Sequence, residues 1–255
     1  MTGAVLLAGG PAAATDQWTV GGIGFVVPKY EGSNDYEVLG APFAYPVFSD
    51  AQTGGVAGRV AFGNGIDDLR FRLFDGAGFE AGVLGGYALG RDQDDGPLLR
   101  GLGDVDGGLI VGGYAGVRFG LALFDVSYHR IVTGDTGGYF RVGVSGETAI
   151  TPNVTLRTRV GTTYADSDYM ADYFGVSAAQ AFNSVAGLPA YATDAGFKDV
   201  FIDLGLTYDM DANWSLIGGV GYKSLIGDAA DSPVVETADK FSARLGVTYR
   251  FSLAR

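Results

Sequence analysis

One stretch near the C-terminal end alternates without interruption between apolar and polar side chains. From Phe241 to Phe251 every odd position is apolar or aromatic, and the even positions are Ser, Arg, Gly, Thr and Arg. A period of two indicates a β-strand with one apolar and one polar face. In a soluble sheet the apolar face would lie in a core. Aromatic ends with small aliphatic residues between them also fit the lipid-facing wall of a transmembrane barrel.

Eleven further segments carry similar alternation, which predicts about twelve strands with this one as the last. Pro42 and Pro46 make the second segment irregular, since proline removes donors from a strand ladder. The segments preceding the last strand are 17–27, 36–48, 54–62, 68–74, 79–89, 108–119, 121–132, 140–147, 154–164, 200–209 and 214–223.

The connections fall into two classes that alternate along the chain. Those after even-numbered strands are short, such as Gly120 alone or the three residues 151–153. Three that follow odd-numbered strands, 91–106, 166–198 and 224–240, are long and acidic. Long loops on one rim and short turns on the other are typical of outer-membrane barrels with both termini in the periplasm. We therefore expect an all-β fold, a transmembrane antiparallel up-and-down β-barrel, with the aromatic-rich 166–198 loop folding over or into its mouth.

Length and composition agree with one barrel domain spanning residues 16–255. No run of about 18 apolar residues occurs, which excludes a transmembrane helix. The 43 glycines and 30 Tyr and Phe residues suit strands, tight turns and membrane-interface aromatics. Residues 1–15 are apolar and then small, with no basic residue, so we interpret them as the remnant of a signal peptide that begins upstream. A disordered Ala/Gly tail is the alternative.

The charges segregate by position. A net charge of −12 argues against nucleic acid as a partner. Ten basic residues fall on the predicted inward face and would line a lumen that favours small anions. In the alternative, arginines pair with carboxylates and close the interior, since about twelve strands leave little free space. The ten residues are Arg59, Arg70, Arg72, Arg118, Arg141, Arg157, Arg159, Lys223, Arg244 and Arg250.

Asp125, Ser127 and His129 share the inward face of the seventh predicted strand, and an acid, a hydroxyl and an imidazole are the groups of a hydrolase. Positions two apart in a strand are separated by about 6.6 Å along it, which is too far for a direct Ser–His hydrogen bond unless the rotamers converge. No glycine-bracketed serine supports catalysis. We interpret these residues as polar lumen, and predict no catalytic residues and no cofactor.

Carboxylates recur in the long loops at Asp92, Asp94, Asp95, Asp104, Asp106, Asp166 and Asp168. Their spacing does not match the Gly and terminal Glu positions of an EF-hand. We therefore expect solvated acidic loops and no dedicated metal site. Weak divalent-cation binding at the cell surface is the alternative.

Two loop segments resemble a known family. The segment Pro28-Lys29-Tyr30-Glu31-Gly32-Ser33-Asn34-Asp35-Tyr36, with the Pro-rich second strand, resembles the opening signature of the MipA/OmpV family of MltA-interacting outer-membrane proteins. The run from Tyr173 through Phe174, Gly175 and Val176 to Gln180, followed by 187–191 and 196–200, is similar to that family's long-loop signature. Tyr30, Glu31, Gly32 and Ser33 form either a tight turn or a recognition patch, and Gly32 suits a turn needing positive φ.

The resemblance implies a non-enzymatic barrel in a Gram-negative outer membrane, in contact with lipid and lipopolysaccharide. In some members such a barrel scaffolds periplasmic murein hydrolases and synthases, or serves adhesion or permeability. A narrow channel for small anionic solutes with an Arg-lined lumen is the alternative function. A soluble β-sandwich or lipocalin-like carrier is the third alternative. The strand count argues against it, because about twelve apolar strand faces would need cover and an up-and-down carrier barrel has only eight strands. Barrels of this kind commonly end on an aromatic residue that the assembly machinery recognises. This sequence differs, because Phe251 is followed by four more residues.

Overall fold

The computed structural model describes residues 17–47, 60–61, 65–134 and 137–252. Within them the chain forms one antiparallel sheet of twelve strands. The strands are β1 (Gln17–Pro28), β2 (Tyr36–Val47), β3 (Val60–Ala61), β4 (Leu69–Gly76), β5 (Phe79–Ala88), β6 (Gly108–Phe119), β7 (Ala122–Ile131), β8 (Gly138–Thr151), β9 (Val154–Ala165), β10 (Gly196–Asp209), β11 (Trp214–Leu225) and β12 (Asp239–Ser252). The predicted fold class is confirmed.

Consecutive strands from β3 to β12 pair with one another, and β1 pairs with both β2 and β12, so β2 and β3 are the two edges of the described sheet. The register of the β1–β12 ladder runs from Gln17 opposite Ser252 to Val26 opposite Ala243. Pairing of the first and last long strands is typical of an up-and-down barrel. Within the described residues the sheet is curled, and its β2 and β3 edges do not pair with each other. Of the predicted third strand, residues 54–59 and 62 lie outside the described residues, as does the predicted signal-peptide remnant 1–15.

Side-chain exposure follows the alternation of the sequence. On β7 the odd positions Asp125, Ser127 and His129 are buried, whereas Phe124 and Val126 are exposed. On β12, Leu245 is 69% exposed and Val247 is 37% exposed. An outer wall of exposed apolar side chains around a polar interior is the arrangement of a barrel in lipid, because acyl chains then cover the wall.

The two rims of the barrel differ as predicted. The short-turn rim has the connections 77–78, 120–121, 152–153 and 210–213. The long-loop rim has the connections 29–35, 89–107, 132–137, 166–195 and 226–238, and includes residues 65–68 before β4. Gly78 and Gly120 take positive φ in the tight turns, where a Cβ would be strained.

The longest loop contains two helices that alternation did not predict. Helix α1 (Ser167–Phe174) begins where the Asp166 side chain accepts a hydrogen bond from the Tyr169 amide, and helix α2 (Ala178–Asn183) begins with a capping box. A short 3-10 helix spans Gly227–Ala229. Tyr169, Met170, Tyr173 and Phe174 of α1 are buried. The loop therefore folds into the barrel mouth, one of the two placements expected. No helix in the described part of the chain is long and apolar enough to span a membrane.

Candidate functional site

The centre of the barrel holds a chain of buried ion pairs. Asp125 on β7 accepts from Arg70 of β4 at 2.7 Å and from both terminal nitrogens of Arg159 on β9, at 2.5 and 2.9 Å. Arg70 also donates to Asp68 at 2.8 Å. The side chains of Asp125 and Asp68 are fully buried, and Arg159 is 2% exposed. Charges placed this deep in protein are tolerated only when paired.

Two further pairs continue this network. Arg141 on β8 donates to Asp67 at 2.7 Å, which ties the connection before β4 to the opposite part of the wall. Arg244 on β12 makes a bidentate contact with Asp203 on β10 at 2.8 and 2.7 Å. Planar guanidinium and carboxylate groups match in this geometry, so each pair also fixes orientation.

Above the network lies a cluster that we call the latch, formed by Glu31, Lys198, Asp199, Lys223 and Tyr169. Lys198 donates to Glu31 at 2.7 Å and to Asp199 at 3.0 Å, and Lys223 reaches Glu31 at 3.3 Å. The Tyr169 hydroxyl of α1 donates to the same Glu31 carboxylate at 3.3 Å. Because three donors from different elements share this carboxylate, Glu31 holds α1 over the barrel interior.

The electrostatics of the latch follow from burial and charge. Burial alone raises the pKa of Glu31, but Lys198 and Lys223 outweigh it and hold the pKa below its ordinary value of 4.5. Burial, reinforced by the Glu31 charge, raises the pKa of the Tyr169 hydroxyl well above 10. Near neutral pH the carboxylate is therefore ionised and Tyr169 remains a hydrogen-bond donor.

The latch contains residues that alternation missed. Lys198 and Asp199 are both buried although they are consecutive, because the β9–β10 register shifts between Phe197 and Asp199. A β-bulge places two successive residues on one face.

Among the partners of the central arginines, Asp67 was missed because it lies before the predicted fourth strand. Asp68 was the first residue of that predicted strand but was given no role, and it lies just before β4. The sequence signal for their role was the presence of two adjacent carboxylates just before a strand that carries Arg70 and Arg72.

Both loop segments that carry the family resemblance meet at the long-loop rim. Tyr30 and Ser33 close a turn through a 3.1 Å backbone hydrogen bond, with Gly32 at φ +118°. Tyr30 packs with Val176 in one hydrophobic cluster that also contains Leu99, Leu102 and Val234. Phe174 and Gly175 are buried beneath the loops. The tight-turn interpretation of residues 30–33 describes their backbone, and their side chains face inward to the loop core.

The predicted lumen residues occupy three settings. Arg70, Arg141 and Arg159 are buried in the central network, and Arg72, Arg157, Lys223 and Arg244 are partly buried. Arg118 and Arg250 are exposed near the short-turn rim, where Arg118 donates to Glu80 at 2.7 Å. Arg59 lies outside the described residues. Most of these basic side chains form ion pairs with carboxylates of the wall. This arrangement matches the closed interior more closely than an arginine-lined pore.

Ser127 and His129 meet the condition set in the sequence analysis, because their rotamers converge. The His129 ring nitrogen Nε2 lies 3.0 Å from the Ser127 hydroxyl, because the two side chains lean toward each other from neighbouring inward positions. The other ring nitrogen lies 3.2 Å from the Asp67 backbone carbonyl, and Asp125 binds arginines instead. Ser127 and His129 are 1% and 0% exposed, so this pair has no space for a substrate.

The loop carboxylates are engaged in local hydrogen bonds. Asp92 and Asp95 accept from the backbone amides of Asp94 and Asp92 at 2.8 Å, and Asp104 accepts from Gln93. In the described ranges no group of three or more His, Cys, Asp or Glu side chains is arranged to hold a metal ion. These carboxylates stabilise turns of the 89–107 loop.

A cavity of about 230 Å³ lies between the latch and the central network. Its walls include Tyr169 and Tyr173 from α1, together with Tyr139, Phe201 and Phe25 from the barrel wall. Tyr139 is stacked against His129 and meets Tyr169 edge to face, which joins the barrel wall to the helix above it. The loop therefore forms the ceiling of an internal chamber.

Comparison with known proteins finds one matching family and several similar outer-membrane proteins. The model of the family described as "MltA-interacting protein MipA" matches residues 20–251. Outer membrane protein Omp26La of Vibrio anguillarum is 27% identical over 193 residues, which are 73% of this chain and 72% of the relative. Outer membrane protein OmpV of Vibrio cholerae is 27% identical over 197 residues, covering 74% of each chain. The COG4313 outer membrane channel from Pseudomonas putida F1 is 9% identical with a TM-score of 0.42, covering 97% of this chain and all of that one.

Proposed function

Because this chain belongs to the family of MltA-interacting protein MipA and is an outer-membrane β-barrel, we propose that it is a non-enzymatic scaffold for periplasmic peptidoglycan-remodelling enzymes. The partner class is a murein hydrolase or synthase, in keeping with the MltA interaction for which the family is named. Residues 16–255 act as the barrel domain, with outer-membrane lipid and lipopolysaccharide around its wall.

The closed mouth of the barrel is the observation that carries this proposal. Helix α1 lies across the interior, its Tyr169 bound to Glu31, and the ion pairs of Asp125 fill the level below. Within the part of the chain that the structure describes, a solute moving along the barrel axis would have to displace both layers. A barrel whose interior is occupied by its own side chains is better suited to anchoring a partner than to conducting solutes.

The proposed partner surface is the short-turn rim. Its described connections are two to four residues long, so turns alone provide less than the roughly 800 Å² per partner of a standard stable interface. We therefore propose a small contact that is strengthened by confinement of the partner near the membrane. Confinement raises effective concentration, so a weak contact is sufficient.

Site-specific crosslinking tests this proposal in intact cells. A photo-crosslinking residue at Asn153 in the short-turn rim should capture a murein hydrolase or synthase, identified by mass spectrometry after detergent extraction. The same residue at Phe182, which is 91% exposed on the opposite rim, is the matched control and should capture none. Absence of murein enzymes from turn positions, with normally assembled barrel, would contradict the scaffold.

A narrow anion channel is the second candidate, because five basic side chains and only three carboxylates line the internal cavity. Planar-bilayer recordings distinguish the two functions. The scaffold predicts no single-channel steps from the intact barrel. Anion-selective steps from the intact protein would support the channel and refute the closed interior.

We propose no enzymatic activity because the Ser127 and His129 side chains are inaccessible. Ser127 and His129 are enclosed by Arg70, Arg141 and Asp67. The Ser127 hydroxyl also accepts a hydrogen bond from Arg70 at 3.3 Å, so it has a second partner besides His129. A hydrolase would need a cleft beside the serine where a reacting carbonyl can sit.

A further inference from the structure

Two lysines face each other inside the barrel beneath the long-loop rim. Lys223 on β11 and Lys240 on β12 are directly opposed across the ladder, and both line the internal cavity. Like charges at opposed positions destabilise a sheet unless something neutralises them. Lys223 has carboxylate neighbours, since Glu31 lies 3.3 Å away and Asp199 lies 3.7 Å away.

Lys240 makes no direct ion pair within the described residues, although Glu31, Asp239 and Glu236 attract its charge from a greater distance. It is 5% exposed, and its ammonium donates to the backbone carbonyl of Thr237. In the described part of the chain no carboxylate lies within 4 Å of it. The other four basic residues of the cavity wall each have a carboxylate within that distance: Arg141, Arg159, Lys223 and Arg244.

Other polar atoms near Lys240 are also available to a ligand. Ser242 follows two positions later on the same face of β12 and lines the cavity, with no hydrogen bond to its hydroxyl within the described ranges. Arg159 lines the same cavity, and its Nε atom has no hydrogen-bond partner among the described residues although the residue is 2% exposed. Cationic and hydroxyl donors thus converge on one space while the nearby carboxylates are already paired.

The rest of the wall is apolar and aromatic. Phe25 of β1 is 7% exposed, and Tyr139 and Phe201 of the barrel wall line the cavity beside it. Sites for small molecules combine such apolar walls with a few placed polar groups. An inorganic anion would satisfy the lysine but would leave the aromatic surfaces uncovered.

We propose that this cavity binds a small organic anion with an apolar body, its charge held by Lys240 with Ser242 and its body placed between Phe25 and Phe201. Binding gives Lys240 a direct anionic partner and covers apolar wall at the same time. Helix α1 then closes over the ligand, since Tyr169 and Tyr173 form the ceiling. The site is independent of any partner at the short-turn rim.

Calorimetry on the full barrel in detergent tests the site with benzoate as the probe. The purified wild type should bind benzoate saturably. Acetate lacks the apolar body and benzyl alcohol lacks the charge, so each should bind about tenfold more weakly or worse. Lys240→Gln should weaken benzoate binding by about tenfold or more, because it removes one charge-assisted contact.

Lys29→Gln is the matched control, since Lys29 pairs with Asp35 at 3.9 Å and is not among the residues that line the cavity. It should bind benzoate like the wild type. Heat-modifiable migration on gels establishes that each variant is a folded barrel. No saturable benzoate binding to the wild type, equal binding by Lys240→Gln, or equal binding of benzyl alcohol would each overturn the proposal. Crosslinking at Asn153 is scored separately, so failure of this site leaves the scaffold test intact.

Discussion

Removing the charge of Asp125 should destabilise the barrel strongly. Asp125→Asn keeps the side-chain shape but leaves the Arg70 and Arg159 guanidiniums without the carboxylate that both share. All three side chains are at most 4% exposed, so water cannot replace the lost partner. Breaking a buried ion pair by removing one partner costs about 3–5 kcal/mol. Arg70 retains Asp68, which places the expectation toward the lower part of that range.

Urea unfolding in lipid vesicles, followed by the fluorescence of Trp18 and Trp214, measures this cost. The midpoint should fall with an unchanged slope, since the surface exposed on unfolding is the same. Asp106→Asn is the matched control because Asp106 is exposed, and it should change stability by less than about 0.5 kcal/mol. A cost below about 1 kcal/mol for Asp125→Asn would refute the closely paired interior and indicate a hydrated lumen.

Two further variants probe packing and pH. Gly82→Ala should destabilise the barrel by about 1–3 kcal/mol in the same urea assay, because the added Cβ would lie 2.2 Å from the Phe71 carbonyl. Gly22→Ala is the control, since its added Cβ would have nothing within 4 Å, and it should be neutral or slightly stabilising. The folded-state pKa of Glu31 is depressed, so its stabilisation is present above about pH 4.5 and is lost as the pH falls through the folded pKa. The stability difference between wild type and Glu31→Gln should therefore narrow on acidification, and a pH-independent difference would contradict the latch.

Alternation predicted the strands well because the barrel imposes a strict division between lipid and interior at every position. The predicted sixth strand, 108–119, has the bounds of β6, and β9 and β12 differ from prediction by one or two residues at their ends. A one-residue slip would turn arginines toward lipid. Alternation therefore predicts strand bounds best in strands that have no bulge.

The parts that alternation did not predict depend on contacts between distant segments. Helix α1 gains its buried face by packing on distant residues such as Tyr139 of β8 and Leu225 of β11, and a helix of eight residues is not stable alone. The pairing of Asp67 with Arg141 spans 74 positions and exists only once the sheet has curled. Lys198 became an interior residue through a bulge, which breaks the period on which the prediction rested.

Spin labelling tests the division between lipid-facing and interior side chains most directly. The sequence contains no cysteine, so single cysteines at Ser242, Leu245, Val247 and Thr248 can each carry a nitroxide without a prior substitution. In vesicles, labels at 245 and 247 should relax strongly with oxygen and weakly with a water-soluble nickel complex. Labels at 242 and 248 should show low oxygen accessibility. The opposite pattern, with 245 and 247 shielded from oxygen, would contradict the account of an outer-membrane barrel whose arginines lie inside.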